Sequence, residues 1–307
     1  MTTSNRNGTL RHFLVAVSII SCLGYPASFH AQEKGPTRSK SNIQTPQVLL
    51  TRTILRHESR RLGYGGTVTI LGAPEGSITI EGWPRSEVEL SAEIELHAET
   101  EADLDRLALL NSFAFVDDPN HVRILTRGTH DRVFMKRVAR NFPKNLLGLP
   151  WKIRYRLSVP AATDLEIDTG RGPISVAGVE GALTLTATES DAQLTLTGGM
   201  IHATVAVGSI LMKIPVRSWR GNGGLVRLAT GDLTVELPAG FNGDIDADVL
   251  RLGKIETTYA GLEAREGGGL NDRIVRARAG AGGASFKFIV GDGTIRFNKQ
   301  VMGGGDK

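Results

Sequence analysis

From Leu165 onward one pattern returns at nearly regular intervals. Leu165-Glu-Ile-Asp-Thr-Gly-Arg-Gly-Pro-Ile174 is followed by further copies that open at Leu183, Ile201, Leu225 and Ile245. Each copy has alternating apolar and polar residues, a polar or glycine break, and a second alternating run, which predicts two short half-buried strands per unit. A unit of this size cannot bury its apolar face alone, whereas consecutive units stacked on one another share a continuous core. The pattern therefore predicts a mainly β protein, a β-solenoid-like stack of short strands. Leu165 and Ile167 would face the core, and Glu166 and Asp168 would face outward.

The same alternation extends to both sides of the repeats. Thr67–Leu71, Ser77–Glu81 and Glu87–Leu96 read as strands, with a turn at Ala73-Pro-Glu-Gly76 and a stop at Trp83-Pro84. Phe113–Val116 and Val122–Leu125 read as a hairpin about Asp117-Asp-Pro-Asn120, and Trp151–Pro160 leads into the repeats. The period changes only at residues 100–110. There Thr100 with Asp103 forms an N-cap pair and Leu104, Leu107 and Leu110 recur at helical spacing, predicting one short helix packed on the sheet. Phe286, Phe288 and Phe297, near the end of the chain, are expected to cap the last coil.

The first 31 residues have the layout of a secretory signal peptide. Arg6 and Arg11 precede an apolar run from Phe13 to Leu23, and small residues follow at Ala27, Ser28 and Ala31. The run is shorter than the about 20 residues a membrane span needs. Two processing readings stand: cleavage after Ala31, or a lipoprotein signal ending before Cys22, which would be lipidated. Residues 32–46 are polar and carry two prolines, predicting a disordered spacer. A single domain is expected over 47–300, with a flexible tail at 301–307. Cys22 is the one cysteine, so stability must come from packing and strand pairing. The formal charge is +4, and without Arg6 and Arg11 there are 34 bases against 32 acids. Bulk charge thus gives no case for a nucleic-acid partner.

Charge is nevertheless segregated. Residues 75–118 hold twelve acids against Arg85 and Arg106, and residues 121–156 hold ten bases against Asp131 alone. Two readings follow: neutralisation across adjacent strands, or an exposed basic loop within an insertion at 127–149. In the second, Arg132, Lys136, Arg137, Arg140 and Lys144 would meet an anionic envelope polymer, glycan or lipid.

Motifs for catalysis are missing from the sequence. It has no G-x-S-x-G, P-loop or H-E-x-x-H, and no close histidine pair, so neither a catalytic residue nor a cofactor is expected. Asp244, Asp246 and Asp248 alternate and would project from one strand face; they form either a Ca²⁺ ladder or a solvent-facing row. Asp164, Asp168 and Arg171 allow a polysaccharide-active β-helical enzyme, which requires that they converge beside a groove.

Pro74–Trp83, Leu157–Pro160 followed by Leu165–Val176, and Leu228–Pro238 carry a G-x-I-x-I-x-G-W strand, a V-P step and T-G-x-G-x-I-x-V coils. In these features, over about Leu50–Phe297, the chain resembles the bacterial putative adhesin family of exported envelope proteins. Two coils depart from the pattern, with Thr188-Glu-Ser-Asp191 and Ala206-Val-Gly-Ser209 in place of T-G-x-G. The resemblance brings no catalytic residues. It implies a non-enzymatic surface or envelope interaction module in the periplasm, outer envelope or extracellular space, with an envelope-stress accessory as a further alternative.

Overall fold

The computed structural model describes residues 49–138, 141–265 and 269–300. The expected signal peptide, Cys22, the spacer, Arg140 and the tail lie outside them. In chain order the strands and helices are β1 (Leu50–Arg61), β2 (Thr67–Trp83), β3 (Glu87–Ala98), α1 (Glu101–Leu110), β4 (Ser112–Asp118), β5 (His121–Arg127), α2 (Arg132–Val138), β6 (Trp151–Pro160), β7 (Asp164–Arg171), β8 (Ile174–Ala177), β9 (Leu183–Thr195), β10 (Gly198–Lys213), β11 (Arg220–Leu237), β12 (Gly243–Leu252), β13 (Ile255–Thr257), β14 (Leu262–Ala264), β15 (Ile274–Ala279), β16 (Ser285–Asp292) and β17 (Ile295–Lys299). The strands form one large mixed sheet.

Its repeated part is parallel. Val68, Leu165, Leu183 and Ile201 stand opposite one another on β2, β7, β9 and β10, and the last three follow at equal intervals along the chain. Ile70, Ile167, Leu185 and Ala203 make the next rung, and all eight side chains are buried. Removing a Val, Leu or Ile side chain from water contributes about 1.5–3 kcal/mol, so these ladders hold the stack. The departures from T-G-x-G do not disturb the register, because Ser190 and Gly208 are directly paired.

The breaks within the copies do not all separate two strands as expected. The first copy divides, into β7 and β8, but β9, β10 and β11 each run unbroken through the break, and so does β2 through Ala73-Pro-Glu-Gly76. The reason lies in the backbone: Gly208 and Gly231, with φ of 132° and 131°, bend the chain while its ladder hydrogen bonds continue beyond the corner. A Cβ on Gly231 would lie 1.7 Å from the carbonyl oxygen of Gly208 on the paired strand β10, so the corner admits no side chain there.

The copy at Leu225 is also one residue out of register. Leu225 stands opposite His202, and Val226 and Leu228 point inward opposite Ala203 and Val205. The ladder thus equates Ile201 with Gly224 instead of with Leu225.

The C-terminal phenylalanines do not cap an end. β16 is inserted between β11 and β12, parallel to both, and β17 lies between β11 and β13. Phe286 stands opposite Gly224 and Ile245, and Phe288 opposite Val226 and Ala247. Phe286, Phe288 and Phe297 are fully buried, and the rings of Phe286 and Phe288 stack with centroids 6.2 Å apart. The far edge is closed by β15, antiparallel to β12, and by β14 beyond it.

At the other edge β1, β3 and β6 pair antiparallel, and the expected hairpin is formed by β4 and β5. Tyr155 of β6 reaches across to this hairpin, with its ring edge-on to Phe113 at 5.8 Å and its hydroxyl 2.9 Å from Thr126 Oγ1. Burial pushes the Tyr155 hydroxyl well above its usual pKa. Helix α1 lies where expected. Thr100 accepts the Asp103 N–H at 3.2 Å, and Leu104 and Leu107 are buried. Two ion pairs at 2.6 Å, from Arg52 to Glu101 and Asp105, tie α1 to β1.

Helix α2 and a 3₁₀ turn at Lys144–Leu146 correct the expectation of a single helix. Asp131 is the cause: its Oδ1 accepts the N–H groups of Val133 (2.9 Å) and Phe134 (3.0 Å), capping a first turn that would otherwise leave those donors unpaired.

Candidate functional site

Every aspartate of the alternating trio meets an arginine. Arg278 Nε lies 2.9 Å from Asp244, Arg276 Nη2 lies 2.6 Å from Asp248, and Arg265 pairs with Asp246. The hydrogen bond to Asp244 raises the pKa of the Arg278 guanidinium. Asp244 and Asp246 face Arg278 and Arg276 across the β12–β15 ladder, while Ile245 and Ala247 are buried. A cation at this row would have to displace three guanidinium groups. Among the described residues, no group of three or more His, Cys, Asp or Glu side chains is placed to hold a metal. The period-two spacing of Arg276 and Arg278 matches that of the aspartates, and this was the signal for the pairing.

Asp164, Asp168 and Arg171 do not converge. Asp164 Oδ1 accepts the Ala182 N–H at 2.7 Å and so ties the residue before β9 to the start of β7. Asp168 lies four residues further along the strand, about 13 Å away at the usual rise. Arg171 pairs with Glu189 at 3.3 Å. It lines a concavity of 620 Å³ over the corner formed by Gly76, Gly172 and Gly208, to which neither Asp164 nor Asp168 contributes. Of the charges lining that groove, Lys152 pairs with Glu75 at 3.2 Å, while the Asp191 carboxylate accepts a hydrogen bond from Ser209 at 2.6 Å. Next to it, His130 packs on Trp151 with ring centroids 5.3 Å apart, and burial lowers the pKa of its imidazole.

The acidic and basic blocks do meet across strands in part. Arg154 of β6 pairs with Glu93 and Glu95 of β3, and Arg123 pairs with Asp118 across the β4–β5 turn. The hydrogen bond from Arg154 draws the Glu95 carboxyl below its usual value.

The insertion is different. Arg132, Lys136, Arg137 and Lys144 are exposed, and none makes an ion pair among the described residues. Asp131, the one acid between residues 119 and 163, spends a carboxylate oxygen on the α2 cap. Met135 turns inward and is buried, whereas Val133, at i, i+3 and i+4 with Lys136 and Arg137, shares their outward face. Large apolar side chains are exposed in the same region: Leu109 at 84%, Val133 at 68% and Val138 at 51%. Leu109, Leu110, Val138, Phe142 and Pro143 line a concavity of 450 Å³ between the end of α1 and the segment after α2. Reading the insertion for charge alone missed this apolar component, which Leu109, Val133 and Val138 announce in the sequence only once the buried face of each helix is known.

Neither a family model nor a curated protein matches the chain. Among solved structures it is similar to a putative cell adhesion protein from Clostridium sporogenes, at 14% identity and a TM-score of 0.43 over 80% of this chain and 100% of that one. It is also similar to putative adhesins from Bacteroides fragilis (11% identity, TM-score 0.31, 80% and 97%) and Parabacteroides distasonis (10%, 0.27, 79% and 97%). These structural neighbours carry the adhesin description of the family that the sequence resembles. At these scores the likeness assigns neither a fold nor a ligand. No helix among the described residues is long and apolar enough to cross a membrane.

Proposed function

We propose that the chain is an exported, non-enzymatic surface or envelope interaction module of adhesin type, a β-solenoid-like scaffold that presents a basic insertion to an anionic envelope component. The solenoid reading is supported by successive parallel ladders, from β7 through β9 and β10 to β11, with buried side chains in register. The interaction reading is carried by one contrast. Arg265, Arg276 and Arg278 are matched to carboxylates on the scaffold, whereas Arg132, Lys136, Arg137 and Lys144 are exposed on the insertion and make no ion pair among the described residues, Asp131 being the one acid of that segment. Surplus exposed charge of one sign attracts the opposite sign over about 8–10 Å at ordinary ionic strength. Arg140 is assigned to the same set, and export is assigned to residues 1–31, with cleavage after Ala31 or acylation at Cys22 as the two routes.

The test is retention of envelope extract components by the exported protein, at low and high salt, compared with a variant lacking residues 132–144. Salt-sensitive retention that disappears with the deletion is expected. Equal retention by both forms, or none by either, would refute the reading. The intact mass of the same exported sample separates cleavage from acylation.

A further inference from the structure

We infer that the surface formed by the end of α1, helix α2 and the segment 141–144 is a docking site for an anionic lipid membrane, a step that rests on the interaction reading and names what the basic insertion meets. The argument begins with the side chains that a purely electrostatic partner would not need. Leu109, Val133 and Val138 are more than half exposed, although Leu104, Leu107 and Met135 on the same two helices are buried. Leu109 and Val138 also wall the 450 Å³ concavity with Leu110, Phe142 and Pro143, and Arg106 and Asn141 complete its lining. Exposed apolar side chains clustered beside a mainly apolar recess mark a surface that a partner covers.

The second observation is the charge around them. Arg132, Lys136 and Arg137 lie on α2 itself, and Lys144 follows Pro143 at the rim of the recess. The acids of α1 are already engaged: Glu101 and Asp105 by Arg52, and Asp103 by Arg106. Asp131 caps α2. The surface facing a partner is therefore cationic and apolar at once. A soluble polyanion would satisfy the cations and leave Leu109 and Val133 wet. An anionic bilayer satisfies both, because apolar side chains sink to the boundary of headgroups and acyl chains while Lys and Arg stay at the level of the phosphates. Val133 between Lys136 and Arg137 on one helix face has the arrangement such a boundary requires.

Sedimentation of the exported protein with vesicles tests this. Vesicles of phosphatidylcholine alone are compared with equal mixtures of phosphatidylcholine and phosphatidylglycerol, and binding to soluble dextran sulfate is measured in parallel. Of the two kinds of vesicle only the mixed one is expected to bind, and dextran sulfate is expected to bind through the same cations. Arg132→Glu with Lys136→Glu and Arg137→Glu should weaken it about a hundredfold or more. Leu109→Ser with Val133→Ser and Val138→Ser should weaken vesicle binding about tenfold or more and leave dextran sulfate binding unchanged. All of these positions are exposed, and circular dichroism of each variant guards against a loss of fold. Val133→Trp adds a direct reading, since its emission should be quenched by brominated phosphatidylglycerol beyond the quenching of the parent protein. Equal binding to both kinds of vesicle, or unchanged vesicle binding in either triple variant, overturns the inference. Dextran sulfate binding without vesicle binding overturns it while the broader interaction reading stands, and the absence of both removes the two together.

Discussion

Gly231 shows how tightly a single residue is specified. It stands opposite Gly208 on one side, and a Cβ there would meet that residue's carbonyl oxygen at 1.7 Å. Gly240 also has a positive φ, of 72°, but nothing lies within 4 Å of where its Cβ would be. The two positions separate dihedral strain from steric conflict. Gly240→Ala should cost about 1–2 kcal/mol, the ordinary penalty of a left-handed backbone. Gly231→Ala adds a clash with backbone that cannot move alone, and should cost at least about 3 kcal/mol. Urea denaturation of both variants checks this, and equal losses would mean that the corner is softer than its geometry implies. The T-G-x-G spelling made these corners visible in the sequence. It did not reveal that Ser190, where the spelling fails, keeps the same place in the column, because register is set by the apolar ladders on both sides and not by the corner residue.

Among the elements, α1 was legible and α2 was not. Helix α1 combines a cap, Thr100, with two buried leucines at helical spacing, so two independent signals agree. Helix α2 is seven residues long and buries Met135 alone, too little to generate a period of 3.6. It depends on Asp131 more than on packing. Asp131→Ala should therefore cost about 1 kcal/mol and speed hydrogen exchange of the amides of residues 133–138 while leaving that of the β-ladders unchanged. Unchanged exchange in α2 would show that the helix is held by its packing. The misplaced strand breaks have a related origin. Glycine in an alternating run reads as an end, whereas in β10 and β11 it is the means by which the strand turns a corner without stopping.

For the whole molecule, alternation told which side of each strand is buried, and the repeat told which strands stack in register. Neither could tell the order of the layers, because a period of two identifies an inward face without identifying its neighbour. The insertion of β16 between β11 and β12 was therefore invisible. A chain ending at Gly283 tests the importance of that insertion. It loses three fully buried phenylalanines, each worth about 3–5 kcal/mol on truncation, a sum comparable to the total stability of about 5–15 kcal/mol of a typical domain. Such a chain should lack a cooperative thermal transition and be degraded rapidly by protease. A melting temperature equal to that of the full chain would show that β11 and β12 close up without β16.

The place of β16 also bears on the order in which the chain can be assembled as it is made. A stack built in sequence could lay down each coil as it emerged from the ribosome. Here β12 has emerged before its neighbour on the β11 side exists, and that neighbour follows only after β13, β14 and β15. The gap beside β11 stays open until β16 emerges, so β11 and β12 are held back from their final packing while the chain is still growing. In that order of events β16 is the latch that closes the packing between β11 and β12.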